Sequence, residues 1–311
     1  MTKYNVISFG SAILDIFLVS DGFKLVKNGE ESVICYKYGE KIEVEKRVIC
    51  SGGGGTNTAA SFSRFGLNSA AAARLGNDPF GKMVIAELEK EEVATGLLSV
   101  KDEETDSSVI LLSPDGGRTI LVCRGQTRLE IADLDWEALS ADWFYITSLE
   151  GNLELVEKLI NFAREKGIKL AWNPGKLELV NRELVSRLAS SAKVFNLNRE
   201  EMETLIGCKM EEAKFWPLVE KLAAEQIVVT DGRKGAYLLS REQKLHFELT
   251  PTASPMDETG AGDAFGSAFV YGLIKGMEPK DAFSLAMKNG ASVVQYIGAK
   301  EGLLRSAESF K

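Results

Sequence analysis

With 311 residues, 45% of them hydrophobic and 26% charged, the chain has the composition of a globular protein, long enough for one large α/β domain or a domain with a subdomain. A net charge of −8 without any cluster of Lys and Arg argues against nucleic acid as the main partner. The single histidine, His246, excludes HExxH zinc sites and multi-histidine metal centres, and a Ser-His-Asp triad would need this one residue, which sits in a strand-like run. Four scattered cysteines with no CxxC pair, no apolar run of membrane-spanning length and no signal-peptide pattern before the first strand-like run predict a reduced, cytoplasmic chain that engages no membrane.

In chain order, residues 6–9 read as a buried strand and 12–19 as a second apolar run. Residues 32–38 and 41–49 read as short strands with polar alternation, the pattern of a sheet with one wet face. After Gly52, Gly53, Gly54 and Gly55 the spacing of Ala59, Ala60, Phe62, Ser63 and Phe65 is helical, and Gly66 supplies the stop. A small-residue strand is predicted over 69–75 and a helix over 79–91, with Pro79 near its start. Strands over 107–112 and 118–123 flank Ser-Pro-Asp-Gly-Gly at 113–117, a hairpin signal. From Asp142 the rhythm becomes strand 143–146, helix 153–166, strand 168–172, strand 194–196, helix 200–206, helix 215–224 and strand 227–230. Alternation of this kind, with nearly continuous apolar strands, predicts an α/β fold with a mostly parallel central sheet covered by helices on both faces. The segments at about 12–49 and 105–125 break the rhythm and predict a small separate sheet.

Residues 257–265, Asp-Glu-Thr-Gly-Ala-Gly-Asp-Ala-Phe, carry the sharpest chemistry. Gly260, Ala261 and Gly262 leave peptide amides unshielded just before a helical run, where free N–H groups and the positive end of the helix dipole hold anions. A carboxylate beside bound phosphate is repelled unless it has work to do, and taking a proton from an attacking hydroxyl is work that fits Asp263. The helix N-terminus also predicts a lowered pKa for Asp263. The competing reading is that Asp263 is an ordinary first-turn residue satisfying N–H groups; the spacing does not match the dinucleotide pattern G-x-G-x-x-G.

Other segments offer similar pairs of readings. Residues 51–57, Ser-Gly-Gly-Gly-Gly-Thr-Asn, let backbone approach a ligand while Asn57 meets hydroxyls, or they form a turn with Thr56 or Asn57 as a cap. Residues 76–82 match G-x-x-x-x-G-K, but Met83 stands where a phosphate loop needs Ser or Thr, and Pro79 lacks an N–H, so this is a decoy. Asn198 and Glu201 have the spacing of a capping box, or could hold water around a magnesium–phosphate group. Thr230, Asp231 and Gly232 lie between two strands, turning the chain or lying along nucleotide phosphates.

Together these segments resemble the ribokinase-like (PfkB) family of sugar and nucleoside kinases. The resemblance runs in order through Gly10, Ser11 and Asp15, residues 52–57, Leu75 to Asp78 with Phe80 and Gly81, Asn198 and Glu201, Thr230 to Gly232, and 257–263. It implies a single kinase domain over 1–311, a three-layer core, and a small β lid (about 12–49 and 105–125) that closes over the sugar. It also implies transfer of phosphate from ATP to a hydroxymethyl group of a sugar. Asp263 would be the base, and Gly260, Ala261 and Gly262 the anion hole. Asp15, Gly53, Gly54, Asn57 and Glu150 would bind substrate, while Asn198, Thr230, Gly232 and Asn289 would face the nucleotide. Glu201 would reach Mg²⁺ through water, and Asp257 would help hold a monovalent cation such as K⁺. Alternatives within the resemblance are a nucleoside kinase or a non-catalytic sugar- or nucleotide-binding regulator. Exposed lid edges could pair two subunits into a homodimer. Two departures stand out: Glu258 occupies a position usually Ser or Thr, and 55–58 read Gly-Thr-Asn-Thr rather than the ribokinase Gly-Ala-Asn-Gln, which points away from ribose itself.

Overall fold

The computed structural model describes residues 2–29, 31–36, 38–113, 117–240, 244–248 and 256–305. The first half of the chain holds β1 (Tyr4–Phe9), β2 (Ile13–Val19), β3 (Lys24–Asn28), β4 (Glu31–Cys35), β5 (Lys46–Gly52), α1 (Gly54–Arg64), β6 (Ser69–Ala72), β7 (Arg74–Gly76), α2 (Pro79–Lys90), β8 (Ser99–Lys101), β9 (Ser107–Leu112), β10 (Arg118–Cys123) and β11 (Ala141–Ile146). The second half holds α3 (Leu153–Lys166), β12 (Lys169–Trp172), α4 (Arg182–Ala189), β13 (Val194–Asn198), α5 (Arg199–Ile206), α6 (Phe215–Glu220), β14 (Gln226–Thr230), β15 (Ala236–Ser240), β16 (Lys244–Phe247), α7 (Ala261–Ile274) and α8 (Pro279–Val293).

Eight strands form the central sheet in the order β16-β15-β14-β13-β12-β11-β1-β6, parallel except for the two antiparallel pairings of β15. Alternation along β11 shows why helices cover both faces. Phe144 and Ile146 enter one apolar cluster with Leu155, Leu159, Trp172, Phe195 and Phe215. Trp143 and Tyr145 point the other way, into a cluster with Phe62, Phe265, Phe269 and Phe283 from α1, α7 and α8. The result is a three-layer α/β core. Local signals set the element ends: Asp78 caps α2 by accepting from Gly81 N at 2.7 Å, Asn152 caps α3, and Gly167 and Gly207 in the left-handed region end α3 and α5.

A separate four-stranded sheet, β10-β9-β2-β5, gathers most of the segments that break the sequence rhythm, while β3 and β4, within the same 12–49 stretch, pair antiparallel with each other as a two-stranded sheet of their own. β9 and β10 pair antiparallel as expected, with Ser113 N donating to Gly117 O at 2.9 Å; the intervening 114–116 lie outside the described residues. Several boundaries differ from expectation. The run 69–75 splits at Ala73 into β6 of the central sheet and β7, which pairs with β8 instead. Residues 41–45 form no strand, α6 stops at Glu220 rather than continuing to 224, and α4 and α8 add to the predicted helices.

Candidate active site

The candidate residues collect where the carboxyl ends of the parallel strands meet two helix N-termini, the edge at which open α/β sheets bind ligands. α1 starts behind Gly53, whose φ of 90° and proximity to Ser11 O (2.4 Å from an added Cβ) leave no room for a side chain. α7 starts behind Gly260, φ 77°, where an added Cβ would come within 2.8 Å of the Ala299 backbone. One hydrogen bond joins the two helix starts: Asn57 Nδ2 donates to Asp263 Oδ2 at 2.9 Å. The sequence separates these residues by 206 positions, and the fold places them in contact. Gly262, exposed in the first turn of α7, is different from Gly260: an added Cβ there would meet nothing within 4 Å. Packing therefore does not require that glycine, and the space beside its amide is open to a ligand.

Asp263 does not behave as its helix-end position alone predicts. Burial holds its carboxyl above the ordinary aspartate value, outweighing the opposing influence of the Asn57 hydrogen bond and the charge of Lys300. Desolvation penalises the ionised form more than the Asn57 donor and the Lys300 charge recover. Lys300 was not among the predicted site residues. It is buried, and its Nζ donates to Ser51 O (2.5 Å), Ser51 Oγ (2.9 Å), Thr56 Oγ1 (3.1 Å) and Asn57 Oδ1 (2.9 Å). No local signal marks it, because a lone Lys in a loop usually reads as a solvated charge.

The four-stranded sheet brings Asp15 over this centre. Asp15 is buried on β2, accepts from Ser108 Oγ of β9 at 2.5 Å, and packs so tightly on Gly52 that a Cβ there would lie 1.9 Å from Asp15 Oδ2. Burial raises its carboxyl, against the opposing pull of Ser108 and Lys300. Glu150, held at φ 56° after β11, pairs with Arg124, which also meets Asp106 at 3.1 Å; burial raises Glu150 too.

Asn198 and Thr230 are register partners at the ends of β13 and β14, and Gly232 follows in an exposed turn. The capping box forms as the spacing predicts: Asn198 Oδ1 accepts from Glu201 N at 2.9 Å and Glu201 Oε2 from Asn198 N at 3.0 Å. Burial raises Glu201, against these bonds and the charge of Lys176. Asn289 stands apart from this group. It is completely buried, donating to Ala264 O at 2.8 Å and accepting from Leu304 N at 2.9 Å, so it ties α8 to α7 and to the C-terminal segment instead of facing a cleft. Asp257 is buried as well, with Oδ1 accepting from Thr259 N and Oγ1, Oδ2 from Gly298 N, and Arg118 of β10 lying 3.7 Å away. Among the described residues no group of three or more His, Cys, Asp or Glu side chains is placed to hold a metal ion. The decoy loop is structural, since Asp78 also accepts from Thr105 N and Oγ1.

Residues 3–305 match the family model described as pfkB family carbohydrate kinase. The chain belongs to that family. Its relatives include the ATP-dependent 6-phosphofructokinase of Thermoanaerobacterium thermosaccharolyticum, 23% identical over 96% of this chain and 90% of that protein. Among solved structures, Arabidopsis thaliana ribokinase complexed with ribose and ATP superposes with a TM-score of 0.80 at 23% identity, covering 99% of this chain and 98% of that one. A Burkholderia thailandensis nucleoside kinase in complex with inosine has a TM-score of 0.77 at 18% identity, covering 98% and 96%. The chain is thus a kinase of the ribokinase family.

Proposed function

We propose that the protein transfers the γ-phosphoryl group of ATP to a hydroxymethyl group of a sugar, with Asp263 as the base. The observation that carries this reading is the Asn57–Asp263 hydrogen bond, which holds a carboxylate where two glycine-opened helix starts meet. In the proposed reaction the substrate hydroxyl gives its proton to Asp263, its oxygen bonds to the γ-phosphorus, and the bond to the leaving ADP breaks. Amides of Gly260, Ala261 and Gly262, with the α7 dipole, stabilise the charge on the transferring group. Asp15, Gly53, Gly54, Asn57 and Glu150 orient the sugar, and Asn198, Thr230 and Gly232 line the nucleotide side. Glu201 would reach, through water, a Mg²⁺ bound with ATP, which would supply positive charge to the phosphates. Potassium would sit at Asp257 and order the anion hole.

The four-stranded sheet together with the β3–β4 pair serves in this reading as the lid of a single kinase domain, built from about 12–49 and 105–125. Its groups near the centre favour a sugar over a nucleoside: Asp15, Ser108, Asp106 and Arg124 with Glu150 suit hydroxyls, whereas a base needs an apolar or aromatic shelf. The outer strand β10 exposes Ile120, Leu121 and Val122, which supports a homodimer through the lid.

The test is a coupled ADP-release assay with Mg·ATP across a panel of sugars and nucleosides, with and without K⁺, on wild type and Asp263→Asn. A positioned base contributes about 10²–10⁴-fold, so the variant should lose turnover on that scale while still binding ATP. Near-wild-type turnover in Asp263→Asn would sink the assignment. Activity confined to nucleosides would move the substrate and keep the mechanism.

A further inference from the structure

We infer that Lys300 is a positioning residue, which locks the carboxamide of Asn57 in the one orientation that donates to Asp263. The inference rests on Asp263 being the base. An ammonium group has three donors and no acceptor, so only oxygen can face it. The atom of Asn57 at 2.9 Å from Lys300 Nζ is therefore the carbonyl Oδ1, and the amino group must point the opposite way, to Asp263 Oδ2. Rotating the amide would set Nδ2 against the ammonium and Oδ1 against the carboxylate, two repulsive contacts replacing two attractive ones.

Nothing in this arrangement needs a ligand to assemble it. The other Nζ contacts, Ser51 O, Ser51 Oγ and Thr56 Oγ1, belong to the same glycine loop, and Thr56 spends its own proton on Gly52 O at 2.7 Å. The Lys300 carbonyl accepts from Arg64 Nη1 at 2.6 Å, and Arg64 is itself clamped by Glu91. The segment carrying Lys300 is thus fixed to the far end of α1, the helix whose first turn carries Asn57.

The charge sits in unusual company. Facing Lys300 are Glu87 of α2 (4.0 Å), Asp15 of β2, Asp263 of α7, and Cys50 of β5. Burial pushes the Cys50 thiol up to about 12, so it stays neutral. Burial also lowers the Lys300 ammonium, while these acids oppose that shift. In return, the Lys300 charge pulls both Asp263 and Asp15 back toward ionisation. Lys300 therefore acts on the base twice, through the Asn57 amide and through its field.

The experiment is a pH–rate series on Lys300→Met, Lys300→Gln and Lys300→Arg, with melting temperatures, together with Lys300→Met in the Asp263→Asn background. Misplacing a reacting group by about 1 Å can cost about 10²-fold. Lys300→Met and Lys300→Gln should lose about 10- to 100-fold in kcat, with the acidic limb of the profile moved to higher pH and the KM for ATP little changed. Lys300→Arg, which keeps the charge and an all-donor head, should leave the limb in place. In the Asp263→Asn background Lys300→Met should cost almost nothing more, because the residue it acts through is gone. The inference is overturned if the limb stays put in both neutral variants, or if the loss in Lys300→Met carries over undiminished into the Asp263→Asn background. Should Lys300→Met fail to fold, Lys300→Gln decides by the limb alone. Full turnover in Asp263→Asn would instead overturn the base assignment itself, whatever Lys300 does.

Discussion

Two glycines two positions apart at the start of α7, Gly260 as its cap and Gly262 in its first turn, make opposite predictions. Gly260 sits at φ 77° against the Ala299 backbone, so Gly260→Ala should destabilise the fold by about 1–3 kcal/mol, read as a lower melting temperature. Gly262 has open space and a helical position, so Gly262→Ala should keep or gain stability, by up to about 1 kcal/mol, while losing turnover because a methyl group enters the space beside the amide. Equal melting losses in both would mean that Gly262 is held by packing. Asp263 gives a pH prediction with a definite sign. Its folded-state carboxyl is raised, and the reaction needs the ionised form, so kcat should fall as pH drops through a value above the ordinary aspartate range. The same shift favours folding at low pH and is lost as pH rises through the raised value, so Asp263→Asn should melt higher than wild type at neutral pH. Asp263 was legible because a carboxylate after Gly-Ala-Gly is chemically odd within five residues of sequence. Lys300 was not, since its partners lie 243 to 249 positions away and no residue beside it shares the contact.

Among the elements, those with a local cause were easy to read. α2 announces itself through Pro79 near its start and α5 through Asn198 as its cap, and the βα alternation after Asp142, α3 included, follows from strands that are apolar on both faces. Elements defined by tertiary partners were harder. Ser69, Ala70, Ala71, Ala72, Arg74 and Leu75 give one small-residue run, and only the presence of β1 on one side and β8 on the other splits it into two strands. α4 has just eight residues and so offers no long periodic stretch, whereas α8 is long but carries Ser284, Lys288 and Gly290 among its apolar positions. The β10 strand carries its own prediction. Its Ile120, Leu121 and Val122 side chains are exposed on an outer edge, so wild type should sediment as a dimer and Leu121→Lys should shift it to monomer with the central fold intact. An unchanged sedimentation coefficient in Leu121→Lys would remove β10 from the interface.

On the scale of the whole molecule, the small sheet and the core are joined at sites of opposite character. Asp15 and Ser108 face the glycine loop from above, while Arg118 on β10 reaches Asp257 just before the turn at Gly260. A substrate held between these parts should tie them together. Sugar at 100 times its Kd should therefore raise stability by about 2.7 kcal/mol, seen as a higher melting temperature, and sugar with a non-hydrolysable ATP analogue should compact the particle in small-angle scattering. A pair of ligands that raised neither observable would argue against a closing lid. The far edge of the central sheet offers another means of observation. His246 stacks on Tyr237 at 4.2 Å, and its Nε2 lies 3.3 Å from Lys234 O in the turn that begins at Gly232. Because it is the only histidine in the chain, its imidazole ring protons give one isolated set of NMR resonances, with no labelling and no assignment problem. The protein carries its own spectroscopic tag, one strand away from where the nucleotide is proposed to lie.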